Sequence, residues 1–167
     1  VSLAPIISFV GKSKSGKTTF LEKVIAELKR RGWRVAAIKH HSHPGLELDR
    51  PGKDTWRMAQ AGADRVVIMS PGEFALFGSL EKEKTLDEMA ALLPDVDIIL
   101  TEGYRLSDKP KIEICRSARS DELICQEGEL LAVVSDLRFP IDRPHFDLDD
   151  AAGVVDLLES AFLSVAG

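Results

Sequence analysis

Eight residues, Gly11-Lys12-Ser13-Lys14-Ser15-Gly16-Lys17-Thr18, satisfy the spacing G-x-x-x-x-G-K-[ST] at every constrained position. Each of those positions answers a need of polyphosphate binding. Gly11 and Gly16 let backbone N–H groups curl round an anion, and Lys17 reaches the β- and γ-phosphates. The Thr18 hydroxyl supplies an oxygen to Mg²⁺. N–H groups from Lys14 to Thr18 would surround the β-phosphate, so Lys12, Ser13, Lys14, Ser15 and Thr19 all belong to the candidate nucleotide contact. The ligand this pattern implies is a nucleoside triphosphate.

Such a loop needs an acidic group to place the metal, at the end of a neighbouring buried strand. The run Asp97-Ile98-Ile99-Leu100-Thr101-Glu102-Gly103 supplies one. Glu102 leaves the strand beside a glycine, so its carboxylate can face the phosphates directly or through a metal-bound water; the competing role is a cap on the next loop. Asp97 falls near the strand's other end. Lys39 stands where open α/β sheets bind ligands, and His40, His41 and His43 follow it. His41 and His43 would share one face of an extended segment, but no third and fourth metal ligand accompany them. A solvated loop, or one holding an anionic substrate with Lys39, is preferred to a zinc site. In Asp49-Arg50-Pro51-Gly52-Lys53-Asp54, a helix cap explains Asp54 and leaves Asp49 and Lys53 for substrate or magnesium. Asp136 follows a late strand, where GTPases of this architecture place an aspartate that accepts the guanine N1 and N2 donors. The full Asn-Lys-x-Asp signature is absent, and a turn cap is the alternative.

The elements that must hold these groups are readable from hydrophobic pattern. Ile6-Ile7-Ser8-Phe9-Val10 reads as a buried parallel strand. Phe20, Leu21, Val24, Ile25 and Leu28 fall on one helical face, with Gly32 as the stop. Val35-Ala36-Ala37-Ile38 predicts a second strand, and Asp54 a cap for a short helix through Trp56, Met58 and Ala59 to Gly62. Residues 65–70, Pro71-Gly72 and residues 73–77 read as a hairpin. It interrupts the strand–helix rhythm, and either edges the sheet or pairs with another subunit. Thr85 is expected to cap a helix carrying Leu86, Met89, Leu92 and Leu93, before a strand over 95–100. Further strands are expected over 111–115 and 129–134, an exposed loop over 137–145, and a closing helix over 150–165. The resulting fold class is α/β: a P-loop NTPase, a three-layer sandwich with a mostly parallel central sheet and an inserted β-hairpin, in one domain over residues 1–167.

Composition narrows the partners. The 167 residues are 44% hydrophobic and 29% charged, with a net charge of −5, which argues against nucleic acid because phosphate-backbone binding relies on Lys and Arg. Cys115 and Cys125 are too few for a disulfide framework and not spaced as a metal pair, so reduced thiols are expected. No run approaches a membrane span, and the N-terminus shows no charged region before a long apolar core. The expectation is a cytoplasmic protein with no membrane partner.

Taken in order, the loop at 11–18, Lys39-His40-His41, Asp49-Arg50-Pro51-Gly52-Lys53-Asp54-Thr55, Ala61-Gly62-Ala63 and Ile98-Ile99-Leu100-Thr101-Glu102-Gly103-Tyr104 resemble one family, the molybdopterin-guanine dinucleotide biosynthesis protein B (MobB) family. The resemblance is close over the first two-thirds of the chain and loose at Ser135-Asp136. It implies a GTP-binding protein with weak GTPase activity, a homodimer. Such a protein assists the guanylyltransferase that attaches GMP to molybdopterin, yielding the guanine dinucleotide form of the molybdenum cofactor. It puts Gly11, Gly16, Lys17, Thr18 and Thr19 in the phosphate site and makes Glu102 the acidic end of the second nucleotide motif. Asp49 then lies in a loop facing nucleotide or cofactor, and the hairpin fits a dimer contact. Lys12 matches by position the extra lysine of dimer-forming ATPases in the wider superfamily; a plain surface lysine is the alternative.

In the mechanism these parts suggest, Lys17 neutralises charge between the β- and γ-phosphates. Thr18 and a carboxylate hold Mg²⁺, while Glu102 orients the attacking water. Hydrolysis should be slow without an arginine finger, for which Arg57 or Arg105 could serve. A small-molecule kinase uses the same loop, but Arg116, Arg119 and Arg138 look too scattered to build its lid. A metallochaperone GTPase would draw on the histidines, and a non-catalytic adaptor would use nucleotide only to stabilise a dimer or dock a partner.

Overall fold

The computed structural model describes residues 3–41, 45–46 and 49–163. Two compact units emerge, one drawn from Val1–His40 and Leu86–Gly167, the other from His41–Thr85.

The larger unit is built on six strands: β1 (Ile6–Val10), β2 (Val35–Lys39), β5 (Ile98–Glu102), β6 (Lys111–Cys115), β7 (Leu130–Ser135) and β8 (His145–Phe146). They lie in the order β2-β5-β1-β6-β7-β8, every neighbouring pair parallel. Parallel strands need helical crossovers that cover both faces, which is why β1 and β6 are buried at every residue. Side chains alternate between those faces. Ile7, Phe9, Ile98, Leu100, Ile112, Ile114, Ala132 and Val134 meet α1 (Lys17–Arg30) and α4 (Ala151–Phe162) through Phe20, Leu21, Val24, Leu28, Val154, Val155 and Leu158. On the other face Ile6 and Ile99 pack against Leu86 and Ala90 of α3 (Leu86–Ala90). Each fully buried Leu or Ile contributes about 2 kcal/mol. At the end of α1, Gly32 takes φ +92° and the Trp33 N–H returns to the Leu28 carbonyl at 3.1 Å, a C-terminal stop that only a left-handed residue permits.

The smaller unit holds α2 (Asp54–Gln60) and a hairpin, β3 (Arg65–Ser70) with β4 (Glu73–Gly78), which forms its own two-stranded antiparallel sheet. The expected insertion is therefore present, pairing with itself rather than edging the central sheet.

Several sequence expectations shift. Asp54 opens α2 inside its first turn while Lys53 occupies the cap position, with no side-chain cap bond; a carboxylate there favours the helix dipole instead. The helix expected through Leu93 is short and leaves Leu92 exposed. Pro94 disfavours helix at the residue before it. The strand expected from residue 95 starts at Ile98, because Asp97 accepts Arg34 N at 2.7 Å and its guanidinium at 3.1 and 2.7 Å. The loop over 137–145 runs into β8, a strand too short for any periodicity. The closing helix ends at Phe162, and Val165 lies outside the described residues.

Burial in β6 extends to charged groups. Glu113 accepts the N–H groups of Ile124 and Cys125 at 2.7 and 3.0 Å, and burial raises its pKa. Both cysteines are free thiols. Burial first, then the Glu113 charge, pushes the Cys125 thiol up to about 12. In the folded protein at pH 8, iodoacetamide is expected to modify Cys125 about a hundredfold more slowly than in urea, after allowing for the greater nucleophilicity of a basic thiolate. Peptide mapping of a quenched time course reads the rate, and equal rates in both states would refute the shielding. Among the described residues no helix is long and apolar enough to cross a membrane.

Candidate functional site

The carboxyl ends of β5, β1 and β6 lie side by side, and the sequence places a chemical group at each. After β1 the chain enters the glycine loop with Gly11 at φ +151°, Lys14 at +61° and Gly16 at +88°. Positive φ at Lys14 and Gly16 makes a concave run of N–H groups, the geometry of an anion nest. Helix α1 starts directly from Gly16 with no side-chain cap bond. Its first-turn N–H groups, which have no partner within a helix, therefore remain for a ligand. Gly11 admits no substitute: a Cβ there would lie 2.3 Å from the Ile114 carbonyl oxygen. Gly11→Ala is therefore expected to lose at least about 3 kcal/mol, from overlap plus left-handed strain. Gly32→Ala, also at positive φ but with nothing within 4 Å, should lose only about 1 kcal/mol. Urea unfolding of both variants checks the contrast.

Lys17 Nζ donates to the carbonyls of Gly11 and Lys12 at 2.9 and 2.7 Å. Burial lowers its pKa, opposed by the Glu102 charge. Beside it the Thr18 hydroxyl donates to Glu102 Oε2 at 2.8 Å, and Lys39 Nζ lies 3.4 Å from Oε1. Register explains the meeting, since Glu102 pairs with Phe9 of β1 and with Lys39 of β2. Beneath them a buried hydrogen bond from Thr101 to Ser8, 2.9 Å long, ties β5 to β1. A hydroxyl and a carboxylate in contact, both hard oxygen donors, suit Mg²⁺, which takes one or two protein oxygens together with phosphate and water. The Ser15 hydroxyl is buried without a hydrogen-bond partner.

The segment after β6 folds onto the loop. Lys12 Nζ donates to Ser120 Oγ at 2.6 Å and Arg119 Nε to the Ser13 carbonyl at 3.4 Å. A methyl group placed on Gly16 would meet Arg116 Nη2 at 3.1 Å. Sequence spacing misses this arrangement: two of the arginines that look scattered converge on the loop, and the third, Arg138, pairs with Asp147 instead. Asp136, at the end of β7, accepts from Ser117 N and Oγ at 2.8 and 2.5 Å, and those bonds hold its carboxyl below the usual range. Arg105 donates to the Ile124 carbonyl at 3.0 Å.

The remaining candidates divide. Thr19 is the third residue of α1 and exposed. Asp49 belongs to the smaller unit, where it accepts from the Thr55 hydroxyl and the Arg50 N–H. It lines a cavity of about 490 Å³ with Trp56, Val66 and Phe77. The His40 ring sits 4.7 Å from that of Tyr104, and His43 lies outside the described residues. Among those residues no three His, Cys, Asp or Glu side chains cluster as a metal site.

A strand, a nest, an uncapped helix bearing Lys17 and Thr18, and a carboxylate on the next strand, all on a parallel sheet, define an α/β fold of the P-loop NTPase type. Within it the chain belongs to the family described as molybdopterin guanine dinucleotide synthesis protein B, MobB, whose model matches residues 6–136. It is 35% identical over 158 residues to a Haemophilus influenzae protein named molybdopterin-guanine dinucleotide biosynthesis adapter protein, covering 93% of this chain and 88% of that one. An Escherichia coli protein of the same name is 33% identical, with 94% and 93% covered. The crystal structure of Bacillus subtilis MobB superposes with a TM-score of 0.76 at 27% identity, over 95% of this chain and 98% of that one.

Proposed function

We propose that the chain is a GTP-binding adapter, acting with the enzyme that joins GMP to molybdopterin, and that it hydrolyses GTP slowly as a homodimer. The observation that carries the nucleotide part is the Thr18–Glu102 hydrogen bond at the mouth of the loop beside Lys17. The family description and the adapter names of its relatives support the cofactor part.

In this reading N–H groups of the loop and the first turn of α1 hold the phosphates, and Lys17 leaves the loop carbonyls to neutralise them. Thr18 and Glu102 would hold Mg²⁺; bound there, the ion would offset phosphate charge. Glu102 also orients a water for attack. Asp136 reads guanine by accepting its N1 and N2 donors in place of Ser117. Slow turnover follows if no arginine reaches the γ-phosphate. Dimerisation through β3 and β4 is supported by their exposed apolar face.

Calorimetric titration of the protein with GTP and with ATP, each with Mg²⁺, tests this. GTP is expected to bind in the micromolar range or tighter and ATP more weakly. Equal affinities, or a preference for ATP, would overturn the guanine assignment, and a phosphorylated small-molecule product would transfer the site to a kinase.

A further inference from the structure

In the site described so far the positive charge facing the phosphates comes from Lys17, with Thr18 and Glu102 placed to hold Mg²⁺ on the β5 side. The sheet order sets a direction across the site. Going from β5 through β1 and β6 to β7, the carboxyl ends present Glu102, the glycine loop, Arg116 and then Asp136. A nucleotide with its terminal phosphate at Thr18 and Glu102 and its base toward Asp136 must cross the end of β6.

Arg116 is the first residue after β6 there, and it is exposed. Its guanidinium turns its Nε–Nη2 edge toward Gly16, with Nη2, Nε and Cζ at 3.1, 3.6 and 3.7 Å from where a Cβ would be. The carboxylates within electrostatic reach are Asp136 and Asp149. Each is committed elsewhere, Asp136 to Ser117 and Asp149 to Lys23 at 2.5 Å. Among the described residues the Arg116 side chain makes no hydrogen bond or ion pair. Yet its backbone is fixed: its carbonyl accepts from Arg119 N and Ser120 N at 2.8 and 3.0 Å. The same turn is clamped to the loop by Lys12–Ser120 and Arg119–Ser13, and in the nucleotide-free chain also to β7 by Ser117–Asp136. A five-donor fork held over a phosphate nest, with none of its donors used, is the arrangement that recognises phosphate oxygens in pairs.

We infer that Arg116 binds the α- and β-phosphates of the nucleotide from within the same chain. It lies on the nucleoside side of the loop and does not reach the γ-phosphate. The inference rests on the nucleotide reading above and gives the site a second cationic wall, built by residues 116–120.

The test is calorimetry with Mg·GTP and Mg·GDP on the wild-type chain, Arg116→Gln and Arg116→Lys. Arg116→Gln is expected to weaken both ligands by the same factor, about 10- to 100-fold, leaving the GTP:GDP affinity ratio unchanged. Arg116→Lys should restore part of the loss, since a point charge replaces the fork. Because the side chain is exposed and unbonded, the thermal midpoint of the free protein should not move. Unchanged affinities in Arg116→Gln would overturn the inference alone. A loss confined to GTP would also overturn it, by placing Arg116 on the γ-phosphate. A wild-type chain that binds neither nucleotide would instead refute the nucleotide reading, before any variant is compared.

Discussion

A Lys17→Ala chain is expected to fold normally and to bind Mg·GTP at least about 100-fold more weakly than the wild type. The ammonium is held by two loop carbonyls, Gly11 at 2.9 Å and Lys12 at 2.7 Å. The bond to Lys12 is exposed and the bond to Gly11 part-buried, so truncation leaves no fully buried acceptor unpaired and costs the fold about 1 kcal/mol. Binding suffers far more. Burial already lowers the Lys17 pKa, so the charge stands in a partly dehydrated place, where its attraction to phosphate exceeds its value in bulk water. Losing one charge-assisted contact of that kind costs about 2–5 kcal/mol. Lys17→Arg should not rescue, because a planar fork cannot pass between the two carbonyls as an ammonium does. Calorimetry reads the affinity and circular dichroism the fold. A folded Lys17→Ala chain with wild-type affinity would show that the nest holds phosphate without the side chain.

What the sequence makes legible follows contact distance along the chain. β1, the loop and α1 are read almost residue for residue, because strand burial, positive-φ glycines and an amphipathic face are local signals within residues 6–32. The Glu102 side of the site is also readable, since a carboxylate and glycine at a strand end imply a neighbour. The Arg116 side is not. Lys12 meets Ser120 across 108 residues and Arg119 meets Ser13 across 106, and only the pairing of β1 with β6 brings them together. Glu113 illustrates the same limit: nothing local in the sequence marks it as buried, and its partners, the N–H groups of Ile124 and Cys125, lie 11 and 12 residues away. Leu92 fails in the opposite sense, an apolar residue at helical spacing in a helix that stops short of it.

Replacing Met69 and Phe74 together by aspartate is expected to convert the proposed dimer into a monomer, with the dissociation constant raised about a thousandfold or more. The ladder register pairs Val67 with Leu76 and Met69 with Phe74, and residues opposite one another in an antiparallel pair share a face. All four are exposed, at 52, 55, 77 and 75%. A contiguous apolar face of that kind is rare on a monomer and marks an interaction surface. Among the described residues strands β3 and β4 pair only with each other, so each also presents an edge able to pair with another chain. The opposite face carries Val66, buried beside Phe77 in the cavity lined by α2, and the two substitutions leave it intact. The hairpin should therefore persist in the variant. Two carboxylates from each subunit, four in the dimer, carried into an apolar interface would lose their hydration without gaining a partner, about 4 kcal/mol or more in all, which sets the thousandfold. Sedimentation equilibrium of both chains over a range of concentrations decides it. A monomeric wild type would leave this face to a different protein, and a dimer indifferent to both aspartates would place the subunit contact elsewhere on the molecule.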